Sequence, residues 1–194
     1  VSTMVGSFRT TFNGWLDQRL AAELYVRAAD ENQARALRSW LEQRADAVLP
    51  VWRVDERLNG KPGQLFGFAD HATYRQNWPM LALAEGGWDR VAAGKGVLIN
   101  EQMARMQMLA LGDSVGFETG HSLPIAGVYS DYGNPRPQAM IDIGLLAKWY
   151  PNVPRLRYAV RIAPQKAAAL ADALKQEFRL GPRDLVDQAQ LKQR

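Results

Sequence analysis

The chain has 194 residues, no cysteine, a formal net charge of +4 and an apolar fraction of 47%. That length is enough to bury a core in one domain, or in one domain carrying a smaller insert, and the lack of cysteine excludes thiolate nucleophiles, disulfides and cysteine zinc sites. The basic excess would suit a nucleic-acid partner, but the charges alternate in sign, as in Arg53-Val54-Asp55-Glu56-Arg57, whereas a nucleic-acid footprint gathers Lys and Arg on one face, so a solvated mixed surface is the better reading.

Residues 1–20 read as an amphipathic helix. Val5, Phe8, Phe12, Trp15 and Leu16 recur three or four apart, which places them on one stripe. The stripe has two readings: a helix docked on its own domain, or a stalk helix whose seam is completed by a partner. No helix start signal precedes it, and the run after Phe178 ends without a stop signal, so both ends read as continuing into something longer. Leu24-Tyr25-Val26 is a short strand. Asp30 then caps a helix, with Gln33 three residues on, and the helix runs to about Asp46 with Ala34, Leu37, Leu41 and Ala45 as its buried stripe and Trp40 beside them. Residues 51–58 are strand-like, Asn59-Gly60-Lys61-Pro62-Gly63 reverses the chain, and residues 64–68 return as the hairpin partner. The opening segment is thus β-α-β-β.

From about Ala69 the texture changes to short elements punctuated by Trp78-Pro79 and Glu85-Gly86-Gly87-Trp88, with no long helix. Within it, residues 96–99 form a short strand, 101–109 a helix, and 114–118 and 123–129 a pair of strands. Regular structure resumes after Pro154: residues 155–162 alternate as a strand, and Pro164 opens a helix whose apolar face is Ala167, Leu170, Ala171, Leu174 and Phe178. Leu185-Val186 is a last short strand. Two similar β-α-β units therefore flank an inserted middle, an α+β arrangement.

Candidate chemistry is sparse. Gly112-Asp113-Ser114-Val115-Gly116 fits the G-x-S-x-G pattern of a serine hydrolase, with His121 or His71 as the partner base. A nucleophile elbow needs a strand before the serine and a helix after it, and here the order is reversed. The two histidines lack ligand spacing, and Asp55 and Glu56 point to opposite faces of a strand, so neither group makes a metal or acid/base site by itself. Lys95 lies between glycines without the phosphate-cradle pattern. No catalytic, cofactor-binding or metal residue is assigned.

Several segments in order carry a resemblance: Met4-Val5-Gly6-Ser7-Phe8-Arg9, Trp15 to Val26, Gly87-Trp88-Asp89-Arg90-Val91, Val97-Leu98-Ile99-Asn100-Glu101, Leu111-Gly112-Asp113, and Ala126 to Gly133. Together they resemble the periplasmic core domain of FtsX-like, MacB-type ABC transporter permeases. The resemblance implies a two-lobed α+β domain on the periplasmic face of a bacterial inner membrane. Residues 1–20 would be a stalk helix continuing a transmembrane helix, 21–68 and 155–194 a porter-like lobe, and 69–154 an inserted sabre-like lobe. It further implies a cytoplasmic ABC ATPase and a second permease chain as partners, no cofactor, and a non-catalytic role relaying ATP-driven motion for export or release of a hydrophobic or lipid-linked cargo. Val5, Phe8, Phe12, Trp15 and Leu16 are then the candidate coupling residues. The competing readings are a stand-alone hydrolase using Ser114 and a passive lipid- or peptide-binding module.

Overall fold

The computed structural model describes residues 20–131 and 133–189. The five residues of the proposed coupling stripe, Val5, Phe8, Phe12, Trp15 and Leu16, lie outside them. The architecture is α+β, built on two sheets.

The first sheet has the order β11-β1-β10-β2, formed by Leu185–Asp187, Leu24–Arg27, Arg157–Arg161 and Ala47–Pro50, all antiparallel. Two helices cover one face, α1 (Glu31–Glu42) and a longer one at Pro164–Phe178. They form where the periodicity places them. Asp30 accepts from Gln33 N–H while the Gln33 side chain accepts from Ala29 N–H, a reciprocal cap that satisfies two orphan donors. Pro164 stands at the start of the longer helix, where a missing N–H costs nothing. Leu37, Leu41, Leu170 and Leu174 pack against Leu24, Val26, Tyr158 and Val160. Each such side chain contributes roughly 1.5 to 3 kcal/mol by leaving water. Trp40 meets Phe178 edge-on at 5.8 Å, joining the two helices.

The second sheet has the order β3-β4-β9-β6-β8-β5, with β7 pairing on β8. Its strands are β3 (Arg53–Leu58), β4 (Lys61–Phe68), β5 (Met80–Leu83), β6 (Val97–Asn100), β7 (Ser114–Gly116), β8 (Ser122–Tyr129) and β9 (Gln138–Asp142). Short helices fill the connections: α2 (Ala72–Asn77), α3 (Gly87–Ala92), α4 (Glu101–Met106) and α5 (Ile143–Trp149), so that Pro164–Phe178 is α6. Pairings β4 with β9 and β6 with β8 are parallel and the others antiparallel. A register shift beside Val97 flips the alternation of β8: Leu123 and Ile125 face one core, Ala126 and Tyr129 the other. Gly127 leaves room there: a Cβ would lie 2.6 Å from Met80 Cε, 2.8 Å from Leu98 Cδ2 and 3.0 Å from the Ala82 carbonyl oxygen, so these neighbours would have to shift.

Two sequence expectations change. The reversal after β3 is a two-residue turn, Asn59-Gly60, with φ of 54° and 80°, and Lys61 to Gly63 already belong to β4. The β3-β4 hairpin, grouped by sequence with the first β-α-β, joins the second sheet instead, because β4 pairs residue for residue with β9 from Gln64 to Phe68. A strand's own alternation states that it has two faces and not which neighbour it pairs with. Elements β2, α2, α3, α5, β5 and β9 are additions to the sequence reading, and α1 ends at Glu42 rather than about Asp46; each added element is shorter than the repeat needed to expose a period.

Candidate functional site

The chain crosses between the sheets twice, at Val51-Trp52 after Pro50 and again over residues 151–156. The crossings touch. The Arg155 guanidinium lies over the Trp52 ring at 5.4 Å, and Trp52 meets Tyr158 edge-on at 6.2 Å. Gly67 N–H donates to the Trp52 carbonyl and Val51 N–H to the Arg157 carbonyl, so the first crossing is pinned to both the sheet it enters and the one it leaves, and Ala28 N–H donates to the Leu156 carbonyl of the second. Prolines 50, 151 and 154 mark both crossings in the sequence; the sequence reading used Pro154 for the second, and Pro50 is the signal that its boundary at Ala69 passed over.

Between the crossings the face of the first sheet turned away from α1 and α6 packs on the second layer. Tyr25, Leu49, Ala159 and Val186 share one apolar cluster with Phe68, Tyr74, Trp78, Trp88 and Met140. Phe68, Tyr74 and Trp78 contact one another in sequence, with ring centroids 5.2 and 5.4 Å apart. A cavity of about 20 Å³, room for a single water, remains between Tyr25, Val51, Arg53, Phe66, Tyr74 and Trp78. The junction is thus a largely apolar packed contact.

Arginines line one end. Arg27 and Arg157 are directly opposite across β1 and β10, and Arg53 projects over Phe66 at 6.0 Å. Burial together with the charges of Arg53 and Arg27 pulls Arg157 down to about 10. Arg53 is likewise lowered, by burial, with Asp55 opposing. Arg27 is paired with Asp184 at 3.2 Å.

At the other end the contact is polar and directional. Glu23 Oε1 accepts from Arg161 Nε at 2.9 Å and from Ile162 N–H at 3.0 Å, and the Glu23 carbonyl accepts from Gln188 N–H. The same guanidinium donates through Nη1 to Thr73 Oγ1 on α2. Thr73 is buried, and His71, the cap of α2, accepts from its N–H. Arg75 on α2 ties the helix to its own layer through Asp70 and Asp89, which hold its guanidinium well above the ordinary value. Glu23, Thr73 and Arg161 were not singled out by sequence, because the three contributors are 50 and 88 residues apart along the chain.

The residues of the hydrolase reading do not assemble. Ser114 is exposed on β7 opposite Pro124, after a turn and before a strand. His121 bonds to Thr119 Oγ1 through Nδ1 and stacks on Trp149 at 4.3 Å, and His71 caps α2. Asp55 is exposed and Glu56 buried on the opposite face of β3. Among the described residues there is no group of three or more His, Cys, Asp or Glu placed to hold a metal ion, and no helix is long and apolar enough to cross a membrane.

No protein-family model matches the chain. Across 97% of its length it is 27% identical to an uncharacterized ABC transporter permease protein of Mycobacterium tuberculosis, and it spans 24% of that relative's length. Its fold is similar to the periplasmic region of MacB from Actinobacillus actinomycetemcomitans, with a TM-score of 0.61 over 88% of this chain and 90% of that one, at 14% identity. It is similar also to the extracellular domain of the noncanonic ABC-type transporter YknZ from Gram-positive bacteria, with a TM-score of 0.57 over 84% of this chain and 97% of that one, at 13% identity. The chain has the fold of a MacB-like periplasmic domain.

Proposed function

We propose that the chain is the extracytoplasmic domain of an ABC transporter permease and that it works mechanically, without catalysis, by relaying ATP-driven motion to the periplasmic side. The observation that carries the reading is coverage. Nearly the whole chain aligns with a stretch of an ABC permease, and most of it superposes on two transporter domains that are themselves nearly spanned in return. The first sheet with α1 and α6 would be the porter-like lobe. The second sheet with its short helices would be the sabre-like lobe, now including the 53–68 hairpin. Residues 1–20 would be the stalk that delivers movement to β1.

The junction supports a mechanical role, because two packed layers meet there across two chain crossings. Leu81, Leu83, Met106, Met108 and Leu111, all on the second layer, are exposed surface that a hydrophobic or lipid-linked cargo would cover. A cytoplasmic ATPase subunit and a second permease chain complete the assembly in this reading.

Disulfide trapping tests it. Single cysteines at Val5, Phe8 and Phe12 of the parent protein, in a cysteine-free background, are expected to crosslink to a second copy in one nucleotide state more than in another. Equal trapping with and without ATP at all three positions, or none at any, would reduce the segment to a static tether and remove the reading. Esterase activity lost in Ser114→Ala would instead support the hydrolase.

A further inference from the structure

We propose that Glu23, Arg161 and Thr73 form a latch that holds the second layer in one register on the first sheet, and that releasing it lets that layer shift as a body. The proposal rests on the mechanical reading of the domain in naming what is relayed; the latch itself is a property of the chain alone.

Apolar contact between Leu49, Ala159 and Val186 on one side and Phe68 and Met140 on the other is non-directional, so it favours closeness without choosing one lateral position. Packed layers of this kind shift by small sliding movements about their connections, here the two crossings at Trp52 and Arg155. A directional bond far from the crossings is what selects a position. Arg161 supplies it: one guanidinium edge is held by Glu23, and the Nη1 that remains reaches Thr73 on α2. An arginine can serve both at once because its donors are arrayed in a rigid planar fork.

The latch is also where movement of the chain ends would arrive. Glu23 immediately precedes β1, its carbonyl receives Gln188 just past β11, and its carboxylate receives both the side chain of Arg161 at the end of β10 and the backbone of Ile162 just past it. Displacement of β1 relative to β10 therefore pulls on the same carboxylate that orients the guanidinium toward Thr73. On the far side, Thr73 lies in the first turn of α2, and α2 is coupled to α3 by Arg75 and Asp89. A change at Glu23 thus reaches two helices of the second layer through one side chain. The Arg161 and Glu23 side chains are 31% and 19% exposed, so water can take over their bonds and the contact can open and close.

The absence of native cysteine supplies the test. Ala159→Cys places a thiol in the closed junction, and Ala34→Cys places one under α1, away from it. In the complete chain, Thr73→Val and Arg161→Gln are each expected to speed thiol modification at position 159 about tenfold, the equilibrium change that losing one charge-assisted hydrogen bond corresponds to. The rate at position 34 should not change, and Thr73→Ser, which keeps the hydroxyl, should modify at the parent rate. Unchanged labelling at 159 in Thr73→Val overturns the latch. So does equal acceleration at 34 and 159, which would mean that the bond supports global stability only, or acceleration by Thr73→Ser, which would assign the effect to packing. None of these outcomes depends on whether the parent protein transports anything, so the latch and the transporter reading fail separately.

Discussion

In the first sheet, α1 and α6 lay continuous apolar stripes across four antiparallel strands, and the buried residues between them are hydrocarbon: Leu24, Val26, Leu37, Leu41, Leu170, Leu174. In the second sheet, helices of six or seven residues are placed by polar groups, with His71, Asn100 and Asp142 capping α2, α4 and α5. Asn100 is completely buried and fully engaged. Its Oδ1 accepts from Met103 and Gln138 N–H, and its Nδ2 donates to Asp131 and to the Arg136 carbonyl. The first layer therefore depends on volume and the second on a few directional bonds. A layer held by volume tolerates repacking. A layer held by buried polar groups does not, because each partner left unsatisfied costs about 1 to 3 kcal/mol.

The largest effect expected from this contrast is at Asn100. Asn100→Leu, close in size, should destabilise the chain by about 4 kcal/mol, because it strands the Met103 and Gln138 N–H groups and the Arg136 carbonyl at once. Urea denaturation measures it, and a loss under about 1 kcal/mol would erase the distinction between the layers.

In the first layer the matched experiment is a pair. Leu174→Ala should cost about 3 kcal/mol as a cavity opens under α6, whereas Leu174→Met, which conserves volume, should cost about 1 kcal/mol. Equal losses for the two would indicate that specific shape, rather than volume, governs this layer as well.

A smaller effect is a matter of pH. Burial raises the Glu56 carboxyl above its ordinary value, with the Glu118 charge acting in the same direction, and Asp142 is raised by burial too. The folded chain then holds protons that the unfolded chain has released, so stability falls as pH rises from the ordinary carboxylate range through the raised folded values. Glu56→Gln should flatten part of that slope and leave Asp142's share. Urea midpoints followed from acid to neutral pH give the answer, and an unaltered slope would place the titration elsewhere.

The smallest expected change is at Ser114. Ser114→Ala should alter stability by no more than about 0.5 kcal/mol, since the hydroxyl is exposed at the start of β7. A larger loss would mean that the strand edge depends on the hydroxyl.

How far the sequence could be read follows the same division. Asp30 with Gln33, Pro164, and the Ala34, Leu37, Leu41 and Ala167, Leu170, Ala171, Leu174 stripes express themselves within a few residues and are where their spacing places them, while the turn is narrower than the sequence reading, Asn59-Gly60 alone, and Ala45 falls beyond the end of α1. The short helices α2, α3 and α5 occupy less than two turns each and show no period, and β9 is a run of five residues recognisable only by its partners β4 and β6.

By itself, then, the sequence determined the two long helices and three of the four strands of the first layer, all but Ala47–Pro50, together with the α+β class and the ordered set of motifs whose resemblance points to a MacB-like periplasmic domain. Periodicity, caps and turn residues act over distances the chain itself spans, so they survive without a partner. Only the tertiary structure decided that the 53–68 hairpin belongs to the second sheet, that the crossings fall at Trp52 and Arg155, and that Glu23, Arg161 and Thr73 meet. Those outcomes depend on which surfaces come into register across long loops. Many registers are compatible with one alternating strand, and a single arginine has no local pattern that announces the two distant groups it will join.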